Sequence, residues 1–241
     1  MNYRKILEEQ LCIDYDCTPE ELKSGENIFR PYRHSPEMRP VGKDSLLKIC
    51  AYNEKLLVMA DERLLGWCRE NLGGRSGVWI SEPENIIMLD RKLSEFGQRL
   101  ADTHHHYIPC EGFPAVEKRF EVRWYEREEI DIFRGDGRFW EALLFDEETP
   151  DMLAVCAMDG ETILGMASVT RNCEKLWEIG VNVTPEGRGR GVGAYVTALL
   201  KERVLGMGIV PTYATVESHI KSQRVAFRAG FEPVFYEMFS E

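Results

Sequence analysis

The 241-residue chain is 44% hydrophobic and 29% charged, the balance of a globular protein with enough apolar side chains for a real core. No apolar run approaches the roughly 18 residues of a membrane span, and acidic residues occupy the opening segment where a signal peptide has its apolar stretch, so a cytoplasmic location is expected. A net charge of −11 without any clustered Lys/Arg face disfavours nucleic acid and anionic membranes as partners, and suits a cationic small molecule.

The seven cysteines are odd in number, scattered and without a C-x-x-C pair, which argues against a disulfide framework and a zinc knuckle. Thr18-Pro19-Glu20-Glu21 combines a capping residue, a proline in the first turn and a glutamate three residues after the cap, and predicts a helix start. Residues 46–53 and 55–61 are apolar runs around a short turn and read as a hairpin. Ile86, Leu89, Leu93, Phe96 and Leu100 recur at spacings of three and four, predicting an amphipathic helix over 84–101. His104-His105-His106 completes no metal site, because neighbours on a strand point to alternate faces and no carboxylate or cysteine stands at ligand spacing. Pro109, Gly112 and Pro114 then punctuate the chain, dividing it into an N-terminal α/β domain, 1–115, and a second domain, 116–241.

The pattern sharpens after residue 119. FEVRWYE reads as a strand and is followed by short helical segments around Ile130–Phe133 and Phe139–Phe145. MLAVCAMDG, ETILGMASVT and KLWEIGVNV are three strands, the first two joined through Asp159-Gly160, and antiparallel pairing is expected. Next comes Val181-Asn182-Val183-Thr184-Pro185-Glu186-Gly187-Arg188-Gly189-Arg190-Gly191-Val192-Gly193-Ala194, after which Val192, Val196, Leu199 and Leu200 keep helical spacing. A strand, a glycine-rich loop and a helix start make an anion cradle, since the unpaired first-turn amides point at one place and the helix dipole favours negative charge there. A tight strand-to-helix turn would need the same glycines. Hairpins before the loop and the lack of a Walker lysine argue against dinucleotide and nucleotide-triphosphate folds.

These residues resemble the GNAT superfamily of acetyl-CoA-dependent N-acetyltransferases. Arg188-Gly189-Arg190-Gly191-Val192-Gly193 is similar to its Q/R-x-x-G-x-G/A signature, after a V-x-P at Val183-Thr184-Pro185, and Ser218–Phe231 is similar to its last helix with the closing Gly-Phe. The resemblance covers about residues 119–241 and implies an α/β fold with a mixed, mostly antiparallel sheet that splays beside the loop. It further implies acetyl-CoA as cosubstrate, with its pantetheine arm on the backbone of Val181 and Val183. Arg188, Gly189, Arg190, Gly191, Val192, Gly193 and Ala194 would hold the pyrophosphate, with Ser222 also at the cofactor. The N-terminal part carries no signature; a degenerate copy of the same fold and a role in shaping the acceptor site are the expectations there.

The reaction needs a deprotonated amine held against a thioester carbonyl, and stabilisation of an oxyanion and a leaving thiolate. The resemblance assigns the base to Glu178 on the strand before the loop, with water or a substrate-binding charge as the other readings, and the oxyanion to a backbone N–H near Val181. Two positions depart from the family: His219 replaces a common asparagine, and Ala226 replaces the tyrosine that protonates the thiolate. Solvent, Ser222, His219 or a tyrosine from another strand would have to serve. Tyr213, Tyr236, Trp124 and Trp140 are pocket candidates, although such aromatics usually belong to the core. The expected function is acetyl transfer to a primary amine of a small molecule; a non-catalytic acyl-CoA sensor and a protein N-acetyltransferase are the alternatives, and a homodimer stays open.

Overall fold

The contacts of the chain divide it into two units in the computed structural model, which describes residues 1–241: Arg4–His106 with Val234–Glu241, and Met1–Tyr3 with Tyr107–Pro233. In the first unit the helix start at Thr18 forms as a complete capping box, with Thr18 Oγ1 accepting from the Glu21 N–H and Glu21 returning a bond to the Thr18 N–H. The helices are α1 (Tyr3–Asp14), α2 (Pro19–Lys23), α3 (Glu62–Leu72) and α4 (Pro83–Ser94). Strands β1 (Ile28–Pro31), β2 (Leu47–Tyr52), β3 (Lys55–Ala60) and the first part of β4 (Leu100–Pro109) join the last part of β10 (Phe231–Ser240), in the order β1-β3-β2-β10-β4. The β2–β3 hairpin turns on Asn53 and Glu54, both with positive φ, the backbone twist that matches paired strands.

Helix α4 stops at Ser94, seven residues before the sequence pattern does. Gly97 with φ +76° and reverse bonds from Phe96 and Gln98 to Leu93 end it, and Leu100 opens β4 instead. Three-residue spacing alone cannot separate a last helical turn from a tight turn leading into a strand.

The second unit contains β5 (Glu121–Glu126), β6 (Asp151–Asp159), β7 (Thr162–Arg171), β8 (Leu176–Val183), α5 (Val192–Gly206), β9 (Val210–Thr215) and α6 (Ile220–Arg228). Its strand order is β4-β9-β8-β7-β6-β5, antiparallel from β5 to β8 and parallel between β8 and β9. Strands β6 and β7 are buried on both faces, which is why they read as nearly unbroken apolar runs. Leu153, Val155 and Ala157 of β6 pack with α5 and α6, while Ala154, Cys156 and Met158 pack under Ile130, Phe133 and Phe139. The two helical segments expected before β6 are 3-10 turns, Arg127–Phe133 and Gly137–Phe139.

The chain passes from one unit to the other inside β4, at 106/107, and inside β10, at 233/234. Of the punctuated stretch, Pro109 ends β4 and residues 110–115 form a loop, all within the second unit.

Candidate functional site

Strands β8 and β9 pair only from Leu176↔Val210 to Ile179↔Tyr213, whereas β8 stays paired with β7 as far as Val183. Beyond Ile179 the sheet forks. The Val210 N–H donates to the Lys175 carbonyl on the β9 side, and the Thr184 N–H donates to the Leu164 carbonyl on the β7 side. Backbone groups alternate along a strand, so odd-numbered residues turn theirs towards β9 and even-numbered ones towards β7. Val181 and Val183 therefore present N–H and C=O groups to the open side of the fork.

The fork leads to the glycine-rich loop. Thr184 Oγ1 and N–H both bond the Leu164 carbonyl, and a Cβ on Gly187 would fall 2.0 Å from that same oxygen, so the loop is fastened to the start of β7. Gly189 and Gly191 have φ of +75° and +77°, conformations that glycine adopts freely. Gly191 is also the N-cap of α5 and has no side chain to bond the first-turn amides of Val192, Gly193 and Ala194. Gly193 differs: a Cβ there would meet Val183 Cγ2 at 3.1 Å and Val225 Cγ2 at 3.3 Å, so it lets α5 approach β8 and α6 closely. Arg188 is exposed, and Arg190 turns its guanidinium to Asp159 and the Phe120 ring.

Sequence reasoning missed three features. Arg119, from the segment before β5, brings Nη1 within 3.3 Å of where a Cβ on Gly191 would stand, adding a cation beside the uncapped helix start. Asn182 Oδ1 accepts from the N–H groups of Glu141 and Ala142 at 2.9 and 2.8 Å, and its Nδ2 donates to the Glu141 carboxylate at 3.1 Å. A Cβ on Gly180 would lie 2.0 Å from the Glu141 carbonyl oxygen, so only glycine admits this segment onto β8. Glu178, Gly180 and Asn182 share one face of β8, and Trp177 and Ile179 join the opposite core as alternation predicts. Glu178 thus stands on the face that carries Glu141. The third feature is a hydroxyl pair, Tyr213 on β9 and Ser222 in the first turn of α6, 2.7 Å apart. Burial pushes the Tyr213 phenol up to about 12, with the Ser222 bond opposing and the Glu141 carboxylate adding to the shift. None of these pairs has a local sequence signature, because each joins residues from separate elements.

The other candidates lie in varied surroundings. Trp140 is 67% exposed beside Glu141, Trp124 lies under Arg203, and Tyr213 and Tyr236 are core residues of different units. Along β4, His104 bonds Asp102, His105 meets the Tyr236 ring, and His106 is buried against Phe235. Ala226 is fully buried and His219 caps α6 without a side-chain bond. No helix is long and apolar enough to cross a membrane.

Residues 113–231 match the family model described as the acetyltransferase (GNAT) family. Among solved structures, a GCN5-related N-acetyltransferase-like protein from Streptococcus suis 89/1591 is 15% identical with a TM-score of 0.52, over 96% of this chain and 97% of that one. A GNAT-family acetyltransferase from Colwellia psychrerythraea is 13% identical, covering 82% of each chain with a TM-score of 0.44. A GNAT-family protein from Novosphingobium aromaticivorans DSM 12444 is 17% identical with a TM-score of 0.45, over 60% of this chain and 66%, just under two thirds, of that one. No curated protein matches the sequence. The Streptococcus likeness extends the fold over nearly the whole chain, including the part before residue 113 that the family model leaves out. With the forked sheet, the glycine-rich helix start and the family match in one segment, the chain carries an acetyltransferase domain of the GNAT family over residues 113–231.

Proposed function

We propose that this protein transfers an acetyl group from acetyl-CoA to a primary amine of a small molecule, by direct attack within a ternary complex. The observation that carries the reading is the backbone of β8 beyond Ile179, unpaired on its β9 side and leading to the uncapped start of α5. Backbone groups of Val181 and Val183 suit the amides of a pantetheine arm as strand partners. Amides of Gly189 and Gly191 to Ala194, with the Arg119 guanidinium nearby, suit a pyrophosphate. Arg188 and Arg190 add positive charge at the rim. Bound acetyl-CoA supplies an acyl group on a thioester, activated enough for an amine to attack without a covalent enzyme intermediate.

The chain's own residues then have two tasks. A carboxylate must hold the arriving ammonium and draw off its proton, a role this reading assigns to Glu178, which shares the β8 face with Asn182 and its partner Glu141. A backbone N–H near Val181, facing the fork, is the donor for the oxyanion. A chain net charge of −11 favours a cationic acceptor in solution.

Buried Ala226, with no group to give the thiolate, favours one second reading, a non-catalytic acyl-CoA sensor. Release of free thiol from acetyl-CoA with a panel of small amines, and with peptides, separates these readings. Turnover with amines is expected; CoA-dependent thermal stabilisation with no thiol release would support the sensor, and turnover with peptides alone would make the acceptor a protein.

A further inference from the structure

Breaking the thioester C–S bond leaves the electron pair on sulfur, and a thiolate of reference pKa about 8.5 takes up a proton near neutrality. Ala226 has none to offer. Tyr213 is half of the last β8–β9 pair, Ile179↔Tyr213, and therefore stands at the point where the strands part. Its phenol bonds Ser222 Oγ at 2.7 Å, an arrangement in which either oxygen can donate.

We propose that Ser222 and Tyr213 form a two-hydroxyl relay that delivers a proton to the departing thiolate, an inference that rests on the acetyl-transfer reading above. Ser222 is the donor that touches sulfur, and Tyr213 acts through it. Three observations place the pair along the fork. Ser222 precedes by three residues Val225, which packs over Gly193 with Val183 as the other neighbour, so α6 borders the fork from its apex towards the glycine-rich end. The Tyr213 ring is held by Tyr107, edge-on at 6.3 Å, and by Phe231 at 6.0 Å, which fixes the phenol's direction. Tyr213 is 2% exposed while Ser222 is half-buried, so the serine is the phenol's outlet. Tyr107 and Glu141 are the titratable groups that bear on the phenol, and both disfavour its ionisation, so that it carries its proton at neutrality and the Ser222 bond, which opposes them, is where it can be given up.

The balance closes. The nitrogen–carbon bond forms, the C–S pair goes to sulfur, and the Ser222 proton completes the S–H bond. Ser222 is refilled from Tyr213, and after product leaves, solvent returns the proton through Ser222. One proton leaves the amine nitrogen and one arrives at sulfur.

A hydroxyl that donates to the thiolate also lowers the thiol pKa of bound CoA, which needs no turnover to measure. The ultraviolet absorption of the thiolate is followed against pH for CoA bound to wild type, Tyr213→Phe and Ser222→Ala, with the protein's own spectrum subtracted. The expected result is a bound thiol below its free value in the wild type, moved up by about half a unit or more in each variant. With acetyl-CoA and amine, each variant should lose about tenfold or more in kcat, and the double variant no more than the worse single one. Tyr213→Phe keeps the ring that packs on Tyr107 and Phe231, and Ser222→Ala tests the pair independently should the tyrosine variant misfold. Variants that bind CoA and titrate its thiol as the wild type does would make the pair a buried phenol's structural bond and overturn the relay. CoA that fails to raise the wild-type Tm would remove the acetyl-transfer reading and the relay together; CoA that binds with an unshifted thiol removes the relay alone.

Discussion

Gly191 and Gly193 stand two positions apart and serve different needs. At Gly191, φ is +77° and a side chain would enter the space beside the Arg119 guanidinium. Gly191→Asp should abolish CoA binding, since it sets a negative charge at the uncapped amides and pairs with Arg119, at a folding cost of about 1–2 kcal/mol for the left-handed backbone. At Gly193 the space is filled by Val183 and Val225, so Gly193→Glu should separate α5 from its neighbours and lower Tm with or without CoA. Calorimetry with CoA and thermal melts of both variants check this; a Gly191→Asp protein that binds CoA normally would remove the phosphate from this loop. Glu178→Gln keeps shape and removes basicity. It should lower kcat by about 10²-fold with CoA affinity intact, and the loss should shrink at high pH, where more of the amine is already neutral. Wild-type kcat from about pH 6 to 9 would leave water as the proton acceptor, and a change in amine KM alone would make Glu178 a binding charge.

Strand β10 shows how an element is held by buried charge. Its Glu237, 2% exposed, accepts from Tyr15 at 2.6 Å and Arg39 at 2.9 Å with Lys48 Nζ at 3.6 Å, and Arg39 also pairs with buried Asp14. Burial by itself would raise this carboxyl, but Arg39, Lys48 and His106 outweigh it and hold it well below the usual carboxylate range. Its contribution is present above the unfolded value of about 4.3 and is lost as pH falls through the folded one. Glu237→Gln should destabilise by about 3–5 kcal/mol, because buried Arg39 then keeps only Asp14 and buried Lys48 loses the Glu237 carboxylate. His106, stacked on Phe235 at 4.3 Å, is lowered by burial to about 3, with Glu237 pulling the other way. From about pH 6.5 downwards the unfolded chain binds a proton on this imidazole that the folded chain refuses. Stability should therefore fall by up to about 1.4 kcal/mol per pH unit below that point, and His106→Gln should flatten the decline between about pH 6.5 and 5 in urea titrations. An unchanged slope would show that His106 is not the group responsible.

At the scale of the molecule, each unit is built from discontinuous stretches of the chain, with crossings at 106/107 and 233/234. A fragment of residues 116–241 lacks Tyr107, whose ring packs on Tyr213 and Phe227, while a fragment of residues 1–115 lacks Tyr236–Phe239, which pair with β2, and with them Glu237. Neither fragment should fold alone by circular dichroism or amide dispersion, whereas the full chain should; a cooperative melt from either would refute this.

The features legible in the sequence depend on residues close together in the chain. The Thr18 capping box, the turn at Asn53-Glu54, the hairpin at Asp159-Gly160 and the path from β8 through the glycine-rich loop into α5 are each decided within a few residues by backbone sterics and nearby hydrogen bonds. So the family segment, and the loop residues that stand as candidates for a cofactor site, could be named from the sequence alone. Only the tertiary structure decided that α4 yields to β4 after Ser94, that β10 lies beside β2, that Arg39 meets Glu237 across 198 residues, that Asn182 holds Glu141, and that Tyr213 reaches Ser222. In each, partners come from elements whose approach is set by burial of a shared core, and hydrophobic burial is non-directional, so no local pattern of residues records who will meet whom.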